Sequence, residues 1–455
     1  MTFRHQLRRA FALATPAVLA QIALMAMGVV DTAMVGRLGA TPLAAVALGA
    51  AMFYLPAVFF MGLLMGLDPI VAQRFGAGDR RGCRDAFVIG QRLALWLFVP
   101  LSATIFGLAW CLPALGLPRE VVPGARVYMQ INALGSVGFL LFVVCRGYVQ
   151  SLGHTRPLLI AALLGNVVNF VGNYLVLFGP WGLPRLGVLG CALTTVIARL
   201  TMMFVIWAVA RLLDRRDVAT DELRRAPERS AALMLARQLL ALGWPIGTQM
   251  IAELGLFSAM AVAAGRIGAS AVAAHQIALH LAALTYTAAA GIGMAGGVLV
   301  GHAVGALDRG RARHAAAAAM TLVVGLMSCS ATVFALFPAL LVGVFTKHAE
   351  VLRSGVQLLR IAAVLQLADG VQAVAVGCLR GAGDTAWPMR AHLLASLAVG
   401  LPVALLFAFS LGWGVGGLWW GATIGLALSA LILCARLWSG RWWNVRSVPV
   451  VPVKC

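Results

Sequence analysis

Twelve stretches of this chain are each long and apolar enough to cross a lipid bilayer. They run over residues 13–35, 44–72, 87–110, 124–147, 158–179, 187–210, 238–264, 272–300, 316–345, 353–378, 389–410 and 414–436. A spanning helix needs about 20 apolar residues. Within hydrocarbon the backbone must satisfy its own hydrogen bonds, which restricts such stretches to helices or a closed barrel. The alternating ten-residue segments of a barrel are absent from the sequence. Only 11% of the residues are charged and 62% are hydrophobic, against about 25% charged in a soluble domain. There are too few polar groups to cover a water-facing globule. The expected fold class is an all-α integral membrane protein with twelve transmembrane helices.

The net charge of +20 would suggest a nucleic-acid partner in a soluble protein. Here the basic residues fall in alternate connections. One set holds Arg4, Arg8 and Arg9, Arg74 to Arg92, Arg146 and Arg156, the run from Arg211 to Arg237, Arg309 to Arg313, Arg380 and Arg390, and the tail from Arg436 to Lys454. The other holds only Arg37, Arg119, Arg126, Arg185, Arg266, Lys347 and Arg353. That asymmetry follows the positive-inside rule. It predicts a multi-pass protein of the cytoplasmic (inner) membrane with both termini cytoplasmic, and no nucleic-acid binding. The basic start and first apolar run imitate a signal peptide, but the run is as long as a full span and passes into Asp31 without a cleavage signal. An uncleaved first helix is expected. None of the eight cysteines forms a CxxC pair, so packing is their expected role.

Residues 215–236 are polar and charged and divide the chain. The expected organisation is an N-terminal six-helix lobe over 1–214, a cytoplasmic linker over 215–236, and a C-terminal six-helix lobe over 237–455. The two lobes repeat one another. At a shift of 229, Pro16 matches Pro245, Gly36-Arg37-Leu38-Gly39-Ala40 matches Gly265-Arg266-Ile267-Gly268-Ala269, and Asp79-Arg80 matches Asp308-Arg309. At 230, Gly147, Gly153 and Thr155 match Gly377, Gly383 and Thr385. An even number of spans per lobe gives both the same orientation, a repeat type associated with transporters whose substrate sites lie at the repeat interface. The GxGxxG run from Gly291 to Gly296 lies inside an apolar span rather than after a strand, so helix packing is its expected role. No Walker-type sequence occurs, and no cofactor is expected beyond a coupling ion.

Four carboxylates fall within or at the edge of spans: Asp31, Asp68, Glu253 and Asp369. Such a group costs about 2.5–3.5 kcal/mol to insert at mid-bilayer, and one that is present is a candidate for function. Glu253 and Asp369 sit mid-span among apolar neighbours. The nominal partner of Asp369, Arg360, is too far along the same helix for contact. Asp31 is either functional or paired with a buried arginine, and Asp68, close to the basic connection at Arg74, is expected to be interfacial. None of the acids recurs at its repeat position: Asp31 corresponds to Met260 and Glu253 to Leu24. A desolvated carboxyl can take up and release protons near neutral pH. A carboxylate with neighbouring oxygens can hold Na⁺. An acidic cavity also attracts organic cations.

These residues resemble the multidrug and toxic-compound extrusion (MATE) transporters, in the NorM-like branch. The resemblance rests on Pro16 to Gln21, Val30-Asp31-Thr32-Ala33-Met34-Val35-Gly36, Leu43-Ala44-Ala45-Val46, Val71-Ala72-Gln73, Ala273-Ala274-His275-Gln276-Ile277 and Cys378 to Thr385, in order along nearly the whole chain. It implies two pseudo-symmetric six-helix lobes around a cavity that opens alternately to each side, with inward Na⁺ or H⁺ flow driving export of small organic cations. It implies ion or proton coupling at Glu253, Asp369 and Asp31, with Glu253 and Asp369 as the ligands if the ion is Na⁺. Asn169, Asn173 and Thr195 match polar positions near Asp31, and Gln249, Gln276 and Gln372 are further polar cavity candidates. Some family members carry an aspartate where this chain has Asn173, which leaves the second-lobe acids as the stronger ion site. A monomer in contact with membrane lipid is expected, and no enzymatic activity. The alternative reading is a lipid-linked oligosaccharide flippase of related architecture, which should show a more basic cavity. A membrane transferase should show paired carboxylates at a span end, and a channel a ring of charges. Neither pattern is present.

Overall fold

The structure, a computed structural model, describes residues 2–180, 184–217 and 229–444, and contains no strand among them. Twelve helices are long and apolar enough to span a membrane: α1 Phe3–Gly36, α2 Ala40–Gly76, α3 Arg80–Ala114, α4 Val122–Ser151, α5 Arg156–Phe178, α6 Gly187–Asp214, α7 Arg229–Ile267, α8 Ala269–Gly305, α9 Arg309–Leu336, α10 Ala349–Gly381, α11 Ala386–Ser410 and α12 Gly414–Ser439. Each matches one expected span, usually with polar extensions. α1 begins ten residues before its apolar run and carries Arg4, Arg8 and Arg9 on helical turns. Hydropathy detects only the length immersed in hydrocarbon, whereas the helix continues for as long as its backbone bonds are made. The ninth span is shorter than expected. α9 stops at Leu336, and Pro338 opens a separate short helix, Pro338–Gly343, because proline lacks the N–H needed to continue a helix.

The repeated motifs mark the helix junctions. The carboxylates of Asp79 and Asp308 cap the starts of α3 and α9, accepting from the backbone N–H of Gly82 at 2.7 Å and of Arg311 at 2.8 Å. Each cap follows a residue in the left-handed region, Gly78 with φ +80° and Leu307 with φ +56°. Leu307 is the one non-glycine residue with positive φ among those described. The turns after α4 and α10 use Gly153 and Gly383, with φ of +88° and +87°. The agreement of these angles explains why glycine recurs there.

Two compact units are distinguishable, and their boundaries differ from the division expected at the linker. One comprises Leu19–Gly247 and the other Met1–Val18 with Thr248–Cys455. Each unit therefore takes part of α1 and part of α7. Of the expected linker, residues 218–228 lie outside the described residues, as does the tail beyond residue 444.

In the unit of Leu19–Gly247, α7 contributes its first half through glycine contacts with α2. A β-carbon on Gly62 would collide with the backbone of Gly247, and one on Gly66 with the carbonyl of Leu239. Backbones packed this closely exclude larger residues. Leu235 and Leu239 of α7 join the same buried core as Phe53, Leu64 and Phe87.

In the other unit, Ala10 and Ala14 of α1 are buried with Ala289 and Ile292 of α8, and a β-carbon on Gly291 would press on Val18. The glycine run of α8 packs as expected of a helix-packing motif. β-Carbons on Gly377 and Gly381 of α10 would strike the carbonyls of Gly293 and Gly297. α11 is wound partly as a π-helix, over Leu393–Gly400 and again over Leu406–Ser410. Its Gly400 meets Gly425 of α12 backbone to backbone. Asp384, beyond α10, accepts from Arg436 Nε of α12 at 2.9 Å, so the charge in the Cys378–Thr385 motif fastens a helix end.

Candidate functional site

The first-lobe acid sits in a shell of neutral donors within the unit of Leu19–Gly247. Asp31 is buried on α1. Asn169 and Asn173 lie one turn apart on α5 and donate their Nδ2 groups to its Oδ1 at 2.9 and 2.6 Å. Thr195 Oγ1 of α6 donates to Oδ2 at 3.2 Å. Thr194 reaches the same network by donating to Asn173 Oδ1. All three implied polar residues, Asn169, Asn173 and Thr195, are therefore brought to Asp31. Asn166, outside the sequence-derived set, donates through Nδ2 to the Ala23 carbonyl of α1 at 2.7 Å. Its signal is present in the chain: 166, 169 and 173 form one stripe at i, i+3 and i+7 on an otherwise apolar helix.

A buried arginine does stand near Asp31, but its hydrogen bonds run to neutral groups. Arg199 is one turn beyond Thr195 on α6. It donates to Asn132 Oδ1 at 2.9 Å and to Tyr54 Oη at 3.1 Å, with its guanidinium 4.8 Å from the centre of the Phe53 ring. Its charge acts on Asp31 through space. An arginine within an apolar span is itself the sequence signal for this group. Asp68, expected to be interfacial, is half-buried. It lies in the first turn of the segment Leu67–Gly76, its carbonyl accepts from Ser151 Oγ at 3.1 Å, and its charge acts on the buried Arg146.

The second-lobe acids converge within the other unit. Glu253 of α7 and Asp369 of α10 act on one another through space. Tyr286 of α8 shares a side-chain hydrogen bond with Glu253 and faces the charges of both Asp369 and Arg380. Gln249, one turn before Glu253, accepts from Arg380 Nη2 at 3.0 Å. Gln372, one turn after Asp369, meets His392 Nδ1 at 3.0 Å, and His392 in turn faces Glu253 and Arg380. Arg380 is the cation of this cluster, bonded to Gln249 and acting on Tyr286 and His392. Gln276 is half-buried and no contact brings it to this cluster; its neighbour His275 instead accepts from Trp419 Nε1 at 3.1 Å. Tyr286, Arg380 and His392 are additions to the sequence-derived site.

The two acids differ in solvation. Asp31 receives three neutral donors, which stand in for water around a carboxylate. Asp369 is buried beside a second carboxylate. Like charges in a poorly solvating interior repel strongly, so this pair calls for a proton or a cation. Among the described residues no three His, Cys, Asp or Glu side chains are placed to hold a metal ion together. A cation here would rest on Glu253 and Asp369 with neutral oxygens, a donor set suited to a hard ion such as Na⁺ rather than to zinc.

The MatE family model matches this chain twice, over residues 16–175 and 245–406, together more than half of its length. The chain belongs to the MatE family. The two matches begin 229 residues apart, the shift read from the repeat. Among curated relatives, the "Probable multidrug resistance protein NorM" of a Synechococcus strain is 34% identical, covering 96% of this chain and 94% of the relative. That of Burkholderia mallei is 36% identical over 93% and 91%. The "Multidrug resistance protein NorM" of Burkholderia vietnamiensis is 34% identical over 93% and 92%. Among solved structures, "MATE in the bent conformation" superposes with a TM-score of 0.85 at 20% identity, covering 98% of this chain and all of that one. The "eukaryotic MATE transporter AtDTX14" gives 0.84 at 19% identity, with 97% of each chain covered. The twelve-helix MatE fold is thereby shown. This MatE chain is a multi-pass membrane transporter, not an enzyme.

Proposed function

We propose that the chain is a cation-coupled antiporter that exports organic cations and drugs by alternating access, driven by inward Na⁺ or H⁺. The observation that carries this reading is the convergence of Glu253 and Asp369 from two apolar helices on one polar cluster. The multidrug resistance names of the NorM relatives support the substrate class. Ion binding at the acids lowers affinity for a cationic substrate, and substrate binding lowers affinity for the ion by the same factor, since coupling between two sites is reciprocal. Asp31 and its neutral shell form a second polar locus that can serve substrate or proton. The basic alternate segments support cytoplasmic termini and residence in the cytoplasmic membrane; the transport reading needs only a monomer. Efflux of ethidium from vesicles reconstituted with the folded protein tests the reading. Export under an imposed Na⁺ or pH gradient, but not without one, supports the antiporter and names the ion. Equal rates with and without either gradient would rule coupling out.

A further inference from the structure

A second polar locus lies away from both acid clusters, between α10 and α12. Arg353, Gln357 and Arg360 follow one another on α10 at i, i+4 and i+7, which places them on one face over two turns, about 10 Å along the axis. With Val356, Ile361 and Trp420 they line a cavity of about 410 Å³, a volume within the usual range for small-molecule sites. Gly416, one turn before Trp420 on α12, packs against Gln357 and Ile361 of this lining. A β-carbon there would lie 3.1 Å from Gln357 Nε2.

The charge here is one-sided. Arg353 and Arg360 are exposed, and no carboxylate of the described residues pairs with either. The nearest acid on the helix is Glu350, one turn before Arg353, whose Oε1 accepts from Ser270 Oγ at 2.8 Å. Arg360 lies 11 residues inside a spanning helix, where an arginine persists by facing water or an anionic partner. Two guanidinium groups with a glutamine between them suit the oxygens of a phosphate, which arginine binds through paired N–H groups. Trp420, 38% exposed, is the side-chain type that lies between headgroup and hydrocarbon. Val356 and Ile361 offer apolar contact to whatever carries the phosphate.

We propose that this groove binds a phosphate-bearing anion, the headgroup of an anionic phospholipid, at a site separate from the transport acids. Native mass spectrometry of the full-length protein, titrated with phosphatidylglycerol and separately with phosphatidylcholine, tests it. Arg353→Gln with Arg360→Gln should weaken phosphatidylglycerol binding about tenfold and leave phosphatidylcholine unaffected. Gly416→Leu, which fills the groove without altering charge, should weaken it similarly, and Arg266→Gln should not. Thermal unfolding of each variant confirms that it is folded. Displacement of the lipid by millimolar inorganic phosphate would assign the recognition to phosphate from either source. Failure of phosphate to compete would assign it to the lipid. Equal phosphatidylglycerol binding by wild type and the double arginine variant, both folded, would overturn the proposal.

Discussion

Asp31 and Asp369 illustrate how neighbours set the task of a buried carboxylate. Three donors surround Asp31, so removing one leaves the shell incomplete. Asn173→Leu should destabilise the protein by about 1–3 kcal/mol, the usual cost of a buried hydrogen-bonding partner lost, read as a lower melting temperature in detergent. Asp369→Asn should act in the opposite sense on stability, because it relieves repulsion with Glu253, while transport coupling is lost; a melting temperature at or above wild type together with loss of gradient-driven efflux checks both halves. Leu307 offers a test away from either site. A left-handed backbone costs an ordinary residue about 1–2 kcal/mol. Leu307→Gly should recover about 1 kcal/mol, and Gly78→Ala at the corresponding turn should lose a similar amount, both measurable by thermal unfolding.

Between helices, glycine sets the distance. Gly293 and Gly297 of α8 meet Gly377 and Gly381 of α10 with no room for a β-carbon. Overpacking usually costs about 1–3 kcal/mol, and more when backbone must move. Gly381→Val should therefore lower the yield of folded protein sharply. Gly325→Val, at a position with open space around it, should leave the yield unchanged. The spans were legible because hydropathy and chain length report them directly. Their ends were less so: the polar start of α1 and the break at Pro338 depend on helix continuation rather than on lipid immersion. The stripe of Asn166, Asn169 and Asn173 could be read from helical spacing. The pairing of Tyr286 and His392 with Glu253 could not, since they approach it from α8 and α11 and only the fold brings them together.

At the scale of the chain, the repeat at a shift of 229 shows two related halves, and the paired MatE matches begin at that same spacing. The units themselves are not the halves cut at the polar linker, because α1 and α7 each divide between units, at Val18 and at Gly247. Composition could not reveal this: the contacts of the half-helices, such as Gly247 against Gly62 and Val18 against Gly291, pair residues far apart in the chain. The duplicated residues shape the helix junctions, whereas the acids are unduplicated. The transport account therefore rests on Glu253 and Asp369. The most direct test is ion-driven ethidium efflux from vesicles carrying the Glu253→Gln, Asp369→Asn double variant, with folding verified by its elution and melting. The account predicts a fall of about 5- to 150-fold, the range of a typical coupling free energy. Efflux at the wild-type rate, driven by the same gradient, would contradict it.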